Sequence, residues 1–381
     1  MKKTLLALAV AATSLFTSTA AQAYTLYSDN DTSLRVYGYL FTYRDISRQA
    51  GYDAEGKNSL TKFDYLQFRT QVYFVKRLDD KVTVSTFARF RHITSWRDAY
   101  TRTYTENGNH TTTLSKSRNQ PKSFANDRLY VTVRHADYGS VTLGRNISLV
   151  GGASWAGGYA SILGVYDAAW LVSSIGGFAT DKSVKYTSKV FDGKHQFVVG
   201  VDQHSGGNFT AYGAGYEYNF ANDGGTFYAY GTMLRGKSSL KRNNPNVSLD
   251  EFGTEVGYYG NLGKRYSHVV YAQFAKNKSY NRLAGKKVYA LGYSGLVPLG
   301  DFSAYFLVAA TRDQSKSSGV KTTKTYYGSV VGTSYRFFSY QTFNLRGYLE
   351  YSYQGVKTKL ASGTSTKTNT HDLGLGLRLN Y

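Results

Sequence analysis

The residues able to do chemistry in this chain are mostly basic. Its 381 residues hold 46 Lys and Arg against 25 Asp and Glu, a formal net charge of +21, and no Cys. The missing thiols exclude disulfides and Cys-ligated metals. Seven His stand singly, at 92, 110, 135, 195, 204, 268 and 371, with no His-x-x-x-His and no paired-carboxylate spacing. Neither a Gly-x-Ser-x-Gly elbow nor a phosphate-binding Gly loop occurs. The sequence therefore offers no enzyme and no resident cofactor or metal. It offers cations at alternate positions. Arg69 faces away from Leu66, Phe68, Val72 and Phe74. Arg89 and Arg91 share a side with Thr83, Ser85 and Phe87, opposite Val82, Val84, Thr86, Ala88 and Phe90. Arg134, Lys185 and Lys189 meet the same test. Cations repeated on one side with few acids nearby suit the attraction of anions.

A period of two belongs to β-strands, whose side chains point to opposite faces in turn. The C-terminal segment shows it well: Leu373, Leu375, Leu377, Leu379 and Tyr381 on one side, Asp372, Gly374, Gly376, Arg378 and Asn380 on the other. Sixteen such segments follow one another from 34–43 to 369–381. Short polar turns such as Arg77–Asp80, Ala136–Tyr138 and Pro298–Gly300 alternate with longer loops, of which 94–126 and Ile147–Asp181 are the longest. That rhythm is the mark of an up-and-down barrel in an outer membrane. The 39 Gly, 36 Tyr and mean hydropathy of −0.40 agree with strands that are apolar on one face and wet on the other. Tyr212, Tyr216, Tyr218 and Phe220 share a face, as residues of an interfacial girdle do. The expected fold is all-β: a 16-stranded antiparallel transmembrane barrel with its long third loop folded into the lumen.

Residues 1–23 read as an export signal. Lys2 and Lys3 precede the apolar run Leu5–Phe16, and Ala21-Gln22-Ala23 forms a small-residue cleavage site. Residues 24–381 would then be the barrel, in the outer membrane. A basic balance raises nucleic acid as a partner, but charges interleaved with a lipid face on an exported chain exclude it.

The run from Asn126 to Asn146 resembles the general-diffusion porins of Gram-negative outer membranes. In that family an Arg-Leu opens a strand, here Arg128-Leu129. A Tyr-Ala-Asp-x-Gly-Ser turn follows, here His135-Ala136-Asp137-Tyr138-Gly139-Ser140. Gly-Arg-Asn then leads into the third loop, here Gly144-Arg145-Asn146. The terminal Leu377, Leu379 and Tyr381 resemble the signal read by the barrel-assembly machinery.

The resemblance implies a homotrimeric, water-filled channel for small hydrophilic or anionic solutes. Arg128 takes the place of a constriction-wall arginine, and Arg145 matches the family arginine of Gly-Arg-Asn. Alternation from Val141 and Leu143 turns Arg145 outward, so a lumenal place for it requires an irregularity at the strand end. Cation-preferring members carry acids on the third loop; here Asp167 is the only charge between Asn146 and Thr180. With Arg69, Arg89, Arg91, Arg128, Arg134, Arg145 and Lys185 on the wall, an anion-preferring constriction is expected. Trp155, Tyr159, Tyr166 and Trp170 on the same loop either pin it to the wall or stack on sugars or nucleosides as a substrate-specific channel would. Basic outer loops, including Lys357, Lys359 and Lys367, either draw anions in or meet the lipopolysaccharide of the outer leaflet.

Overall fold

Each alternating segment of the sequence becomes a strand, and in a bilayer those strands have one stable arrangement. Lipid offers no hydrogen bonds, so an open sheet edge there leaves backbone groups unsatisfied and the sheet must close. The computed structural model describes residues 24–52, 58–104, 110–119, 125–145, 147, 149–150, 182–204, 208–221, 224–237, 248–261, 266–279, 285–317, 320–340 and 342–381. Among these, regular structure is strand alone: β1 (Tyr24–Ser28), β2 (Thr32–Tyr52), β3 (Asn58–Arg77), β4 (Val82–Tyr104), β5 (His110–Asn119), β6 (Ala125–His135), β7 (Gly139–Arg145), β8 (Ser183–Thr187), β9 (His195–His204), β10 (Asn208–Asn219), β11 (Thr226–Lys237), β12 (Ser248–Asn261), β13 (Ser267–Ser279), β14 (Gly285–Leu299), β15 (Phe302–Ser317), β16 (Val320–Tyr340), β17 (Phe343–Lys359) and β18 (Ser365–Asn380).

Consecutive strands pair antiparallel, β4 also pairs with β6, and β18 closes on β2 from Lys367↔Tyr52 to Asn380↔Tyr39. The result is a closed barrel of 16 antiparallel strands. Two short elements add to it. β1 pairs with the first residues of β2, on the edge that β18 uses further along, so it extends the line of β18. β5 pairs with the far end of β4, turning much of the expected 94–126 loop into a hairpin. The expected last loop is likewise mostly ladder: Lys357 stands opposite Lys367, and the turn begins only after Lys359. At the other end the turns are tight, and Asp192-Gly193 has φ of 48° and 67°. Two successive left-handed residues at the centre of the Phe191–Lys194 turn, closed by the Lys194 N–H on the Phe191 carbonyl at 2.9 Å, suit the twist of the strands it joins.

Burial divides each strand as its sequence does. Leu129, Val131 and Val133 on β6, Phe197, Val199 and Val201 on β9, and Leu373, Leu375 and Leu377 on β18 are exposed to the outside. Aromatic rings flank this apolar band. Phe252, Phe274 and Tyr289 touch in sequence at 6.4 and 5.1 Å, and Tyr218, Phe220 and Tyr258 do so at 4.9 and 5.8 Å. Along β12 the two rows lie six residues apart, about 20 Å, close to the height of a lipid-facing band.

Closure is completed at the last residue. Gly38 donates its N–H to the Tyr381 carbonyl at 2.8 Å, and the Tyr381 N–H returns to the Gly38 carbonyl at 3.0 Å. The Tyr381 ring then lies across Gly38, where a Cβ would come within 2.7 Å of its hydroxyl. That hydroxyl donates to the Arg69 carbonyl at 3.1 Å and lies 2.7 Å from Thr70 Oγ1. The terminal aromatic thus ties β18 to β3 across β2. Replacing Tyr381 by Phe keeps the ring and removes these contacts; a loss of about 1 kcal/mol is expected in urea unfolding of the micelle-bound barrel. An unchanged midpoint would show that the ring alone closes the seam.

In the β1–β2 turn, Asp29 accepts from the Tyr27 hydroxyl at 2.5 Å and from the N–H groups of Asp31 and Thr32 at 2.8 and 2.5 Å. These bonds, the Tyr27 hydroxyl foremost, hold its carboxyl down at about 2, from 3.8. A lowered folded-state value gives stability that is present above pH 3.8 and lost as pH falls through about 2. The stability difference between wild type and Asp29→Asn should therefore be flat above about pH 5 and shrink between about pH 4 and pH 2.

Candidate functional site

Side chains directly opposite in a ladder share a face, so register shows which cations meet inside the barrel. On β3, Arg69 stands opposite Tyr39 of β2 and Arg91 of β4. Two residues on, Arg89 stands opposite Arg128 of β6, beside the bulge between Arg89 and Phe90. Arg89 is 9% exposed, and Arg69, Arg91 and Arg128 are half-buried. Tyr37 lies in the field of Arg89 and Arg128, and Tyr65 in that of Arg91 and Arg69. Four of the seven expected basic residues therefore form one patch of wall. Lys185, on the inner face of β8, is coupled electrostatically to Glu217 and Arg128 and extends the patch.

Two expected members lie elsewhere. Arg134 does point inward, but it pairs with Ser140 just before the Ala136–Tyr138 turn and is exposed at the rim. It is six residues from Arg128, about 20 Å along the strand. Arg145 pairs with the outward-facing Leu129, and the β6–β7 register is regular, so its side chain is on the outer face. The strand-end irregularity that a lumenal Arg145 needs is absent from that ladder.

The register also adds members. Arg336 of β16, Arg346 of β17 and Arg378 of β18 stand opposite one another in a row on the inner face. Arg336 is clamped by Asp301, with Nη2 at 2.5 Å and Nε at 2.8 Å from Oδ1. Alternation alone puts Arg346 and Arg378 on wet faces; only the pairing of β17 with β18 shows them adjacent. The basic wall thus runs from β16 through β18, β2, β3 and β4 to β6.

Acids share the inner face, on β10 and β12 and, within the basic wall itself, on β17. Glu255 accepts from the Tyr228 hydroxyl at 2.8 Å and from Gln273 Nε2 at 3.0 Å, Glu217 from the Tyr230 hydroxyl at 2.6 Å, and Glu350 from the Tyr305 hydroxyl at 2.6 Å. Glu255 and Glu350 are fully buried, so neither can touch a solute. Among the described residues there is no cluster of His, Cys, Asp and Glu able to hold a metal ion.

Of the third loop, Asp167, Trp155, Tyr159, Tyr166 and Trp170 lie outside the described residues. Its first residues are clear. Ile147, Leu149 and Val150 are buried, and Val150 packs on Tyr228 and Tyr230 of β11. Leu149 lies on Gly200 of β9 and Gly213 of β10, where an added Cβ would fall 2.8 Å from its atoms. The chain leaves β7 and crosses the inner wall to β11, over a bed of glycines that gives it room. Gly213→Val overpacks that contact and should cost about 1–3 kcal/mol in unfolding free energy. The outward-facing neighbour Ala214→Val should cost nothing, and equal effects would remove the inner-wall contact as the cause.

No family model and no curated sequence matches the chain. Solved structures do. The outer membrane protein OmpT of Vibrio cholerae superposes with a TM-score of 0.64 at 15% identity, over 94% of this chain and 100% of that one. A trimer form of the same protein gives 0.61 at 14%, over 92% and 100%. The anion-selective porin of Comamonas acidovorans gives 0.51 at 14%, over 92% and 100%. The outer membrane channel DcaP of Acinetobacter baumannii gives 0.53 at 13%, over 93% and 99%. Closed barrel, antiparallel register and near-complete coverage together give this chain the fold of the 16-stranded outer-membrane porins.

Proposed function

We propose that the protein is a passive channel of the outer membrane for small hydrophilic solutes and ions, with a preference for anions set by Arg69, Arg89, Arg91 and Arg128, and with no catalytic role. The observation that carries the reading is the cross-strand pairing of Arg69 with Arg91 and of Arg89 with Arg128 on the inner face. Like charges directly opposite each other destabilise a sheet. A fold that keeps two such pairs side by side gains something from the field they make, and a narrow low-dielectric wall focuses that field on passing ions.

The remaining parts of the reading follow from the chain's surfaces. Residues 1–23 act as a cleaved export signal, and Leu377, Leu379 and Tyr381 present the assembly machinery with alternating apolar groups. Exposed Lys357, Lys359 and Lys367 face the lipopolysaccharide side. A homotrimer is supported by the outer face of β2 and β3. There Arg44 binds Asp64 at 2.7 Å in register with Leu375, beside a hollow lined by Leu349, Tyr335 and Phe337. A charged group set in lipid costs about 2–4 kcal/mol at mid-bilayer, whereas a protein neighbour can cover this pair.

The test is the reversal potential of purified protein in a planar bilayer under a KCl gradient. A shift to the anion side is expected. One charge about 5 Å from a hydrated ion is worth about 0.8 kcal/mol, of opposite sign for anion and cation, so Arg89→Gln with Arg128→Gln should lower the anion-to-cation permeability ratio by at least about tenfold. Reversal on the cation side would overturn the preference. Block by one sugar or nucleoside would instead make this a substrate-specific channel.

A further inference from the structure

Short turns of such barrels face the periplasm, and the Arg336–Arg346–Arg378 row lies at that end, next to the β16–β17 turn. Beside it the wall borders an open cavity of about 590 Å³, lined among others by Arg69, Arg346, Arg378, Tyr39, Asn344 and Asn380. Tyr39 organises it: the Arg378 guanidinium lies 4.1 Å and that of Arg69 4.7 Å from its ring centroid. The Arg378 guanidinium, drawn over that ring, holds its plane by the contact and turns its N–H edges toward the cavity. Arg378 also donates from Nε to Asn380 Oδ1 at 2.8 Å, and Arg346 from Nη1 to Ser334 Oγ at 3.4 Å. Both partners are neutral, so the charge of the pair is kept.

From this geometry we infer a second anion site on the periplasmic side of the constriction, built by Arg346 and Arg378 with Arg69 and Tyr39, and suited to a phosphate group, free or as a small ester. Arg346 and Arg378 alone supply more N–H donors to the cavity than the two oxygens of a carboxylate can use. A tetrahedral dianion can accept from several of them at once. The site presupposes the anion-preferring channel proposed above and gives it a direction: an anion that has passed Arg89 and Arg128 meets a second set of cations before it leaves. The cross-strand repulsion of Arg346 and Arg378 is relieved when a phosphate bridges them, which makes occupancy favourable and the empty pair costly.

The test uses the full mature protein in detergent, with inorganic phosphate as probe in a gluconate buffer of constant ionic strength, followed by isothermal titration. Saturable phosphate binding is expected, weakened at least about tenfold by Arg378→Gln and by Arg346→Gln, since each removes a charge-assisted pair of hydrogen bonds. Migration of the unheated, folded barrel on a gel shows which variants are native; should one fail, the other decides. A glucose 6-phosphate arm beside inorganic phosphate distinguishes an ester from the free anion. Absence of saturable binding overturns the inference, as does binding that both native variants leave unchanged. The reversal potential is a separate readout. Cation selectivity with intact, Arg378-dependent phosphate binding would sink the channel preference and leave the site. Anion selectivity without that binding would sink the site alone.

Discussion

The rest of the structure depends on the closed ladder of backbone hydrogen bonds. In lipid it is obligatory, and closing it at Gly38 and Tyr381 fixes the register of every strand. Register then fixes face: a slip of one residue would turn Leu373, Leu375 and Leu377 inward and Arg378 into the bilayer. The cost of burying that guanidinium in hydrocarbon, together with the apolar area lost, makes one register the stable one. The position of each functional arginine is therefore a consequence of closure, and no local motif is needed to aim it.

Much of this was legible because the barrel code is short-range. Each of the sixteen alternating segments, from 34–43 to 369–381, falls on a strand of the barrel, with ends displaced by a few residues. What alternation missed was pairing outside the lipid band. The sequence of β5 and of the far end of β4 lacks an apolar period, and only the ladder between them reveals a hairpin. β1 is too short to show a period at all. The same limit explains the site. Arg69, Arg89 and Arg91 were visible because each lies in a strand with an apolar opposite face. Arg346 and Arg378 passed that test too, but their adjacency needs the β17–β18 register, a relation between positions 32 residues apart that no single strand records.

Arg145 shows how local and imported readings compete. Its place by resemblance was the lumen; its place by alternation was outside. The backbone resolved this in favour of alternation, because Leu129 opposite it faces lipid and no bulge intervenes. Where a bulge does occur, between Arg89 and Phe90, it lies where the wall arginines of β4 and β6 come together. Bulges re-aim side chains at little cost, so this irregularity sets the spacing of Arg89 and Arg128.

The charged side chains of the inner wall are satisfied in different ways. Glu217 and Asp372 receive hydroxyl donors from Tyr230 and Ser352. A hydroxyl satisfies a buried carboxylate as a hydrogen-bond donor without lending it a countercharge. Were the same acids bridged by Arg346 or Arg378, each pair would cancel and the wall would be neutral at short range. The carboxylates nearest the third loop, such as Glu255, are at the same time sealed from contact with solute. Glycine plays its part in the same wall: Gly200 and Gly213 leave room for Leu149 on the inner face.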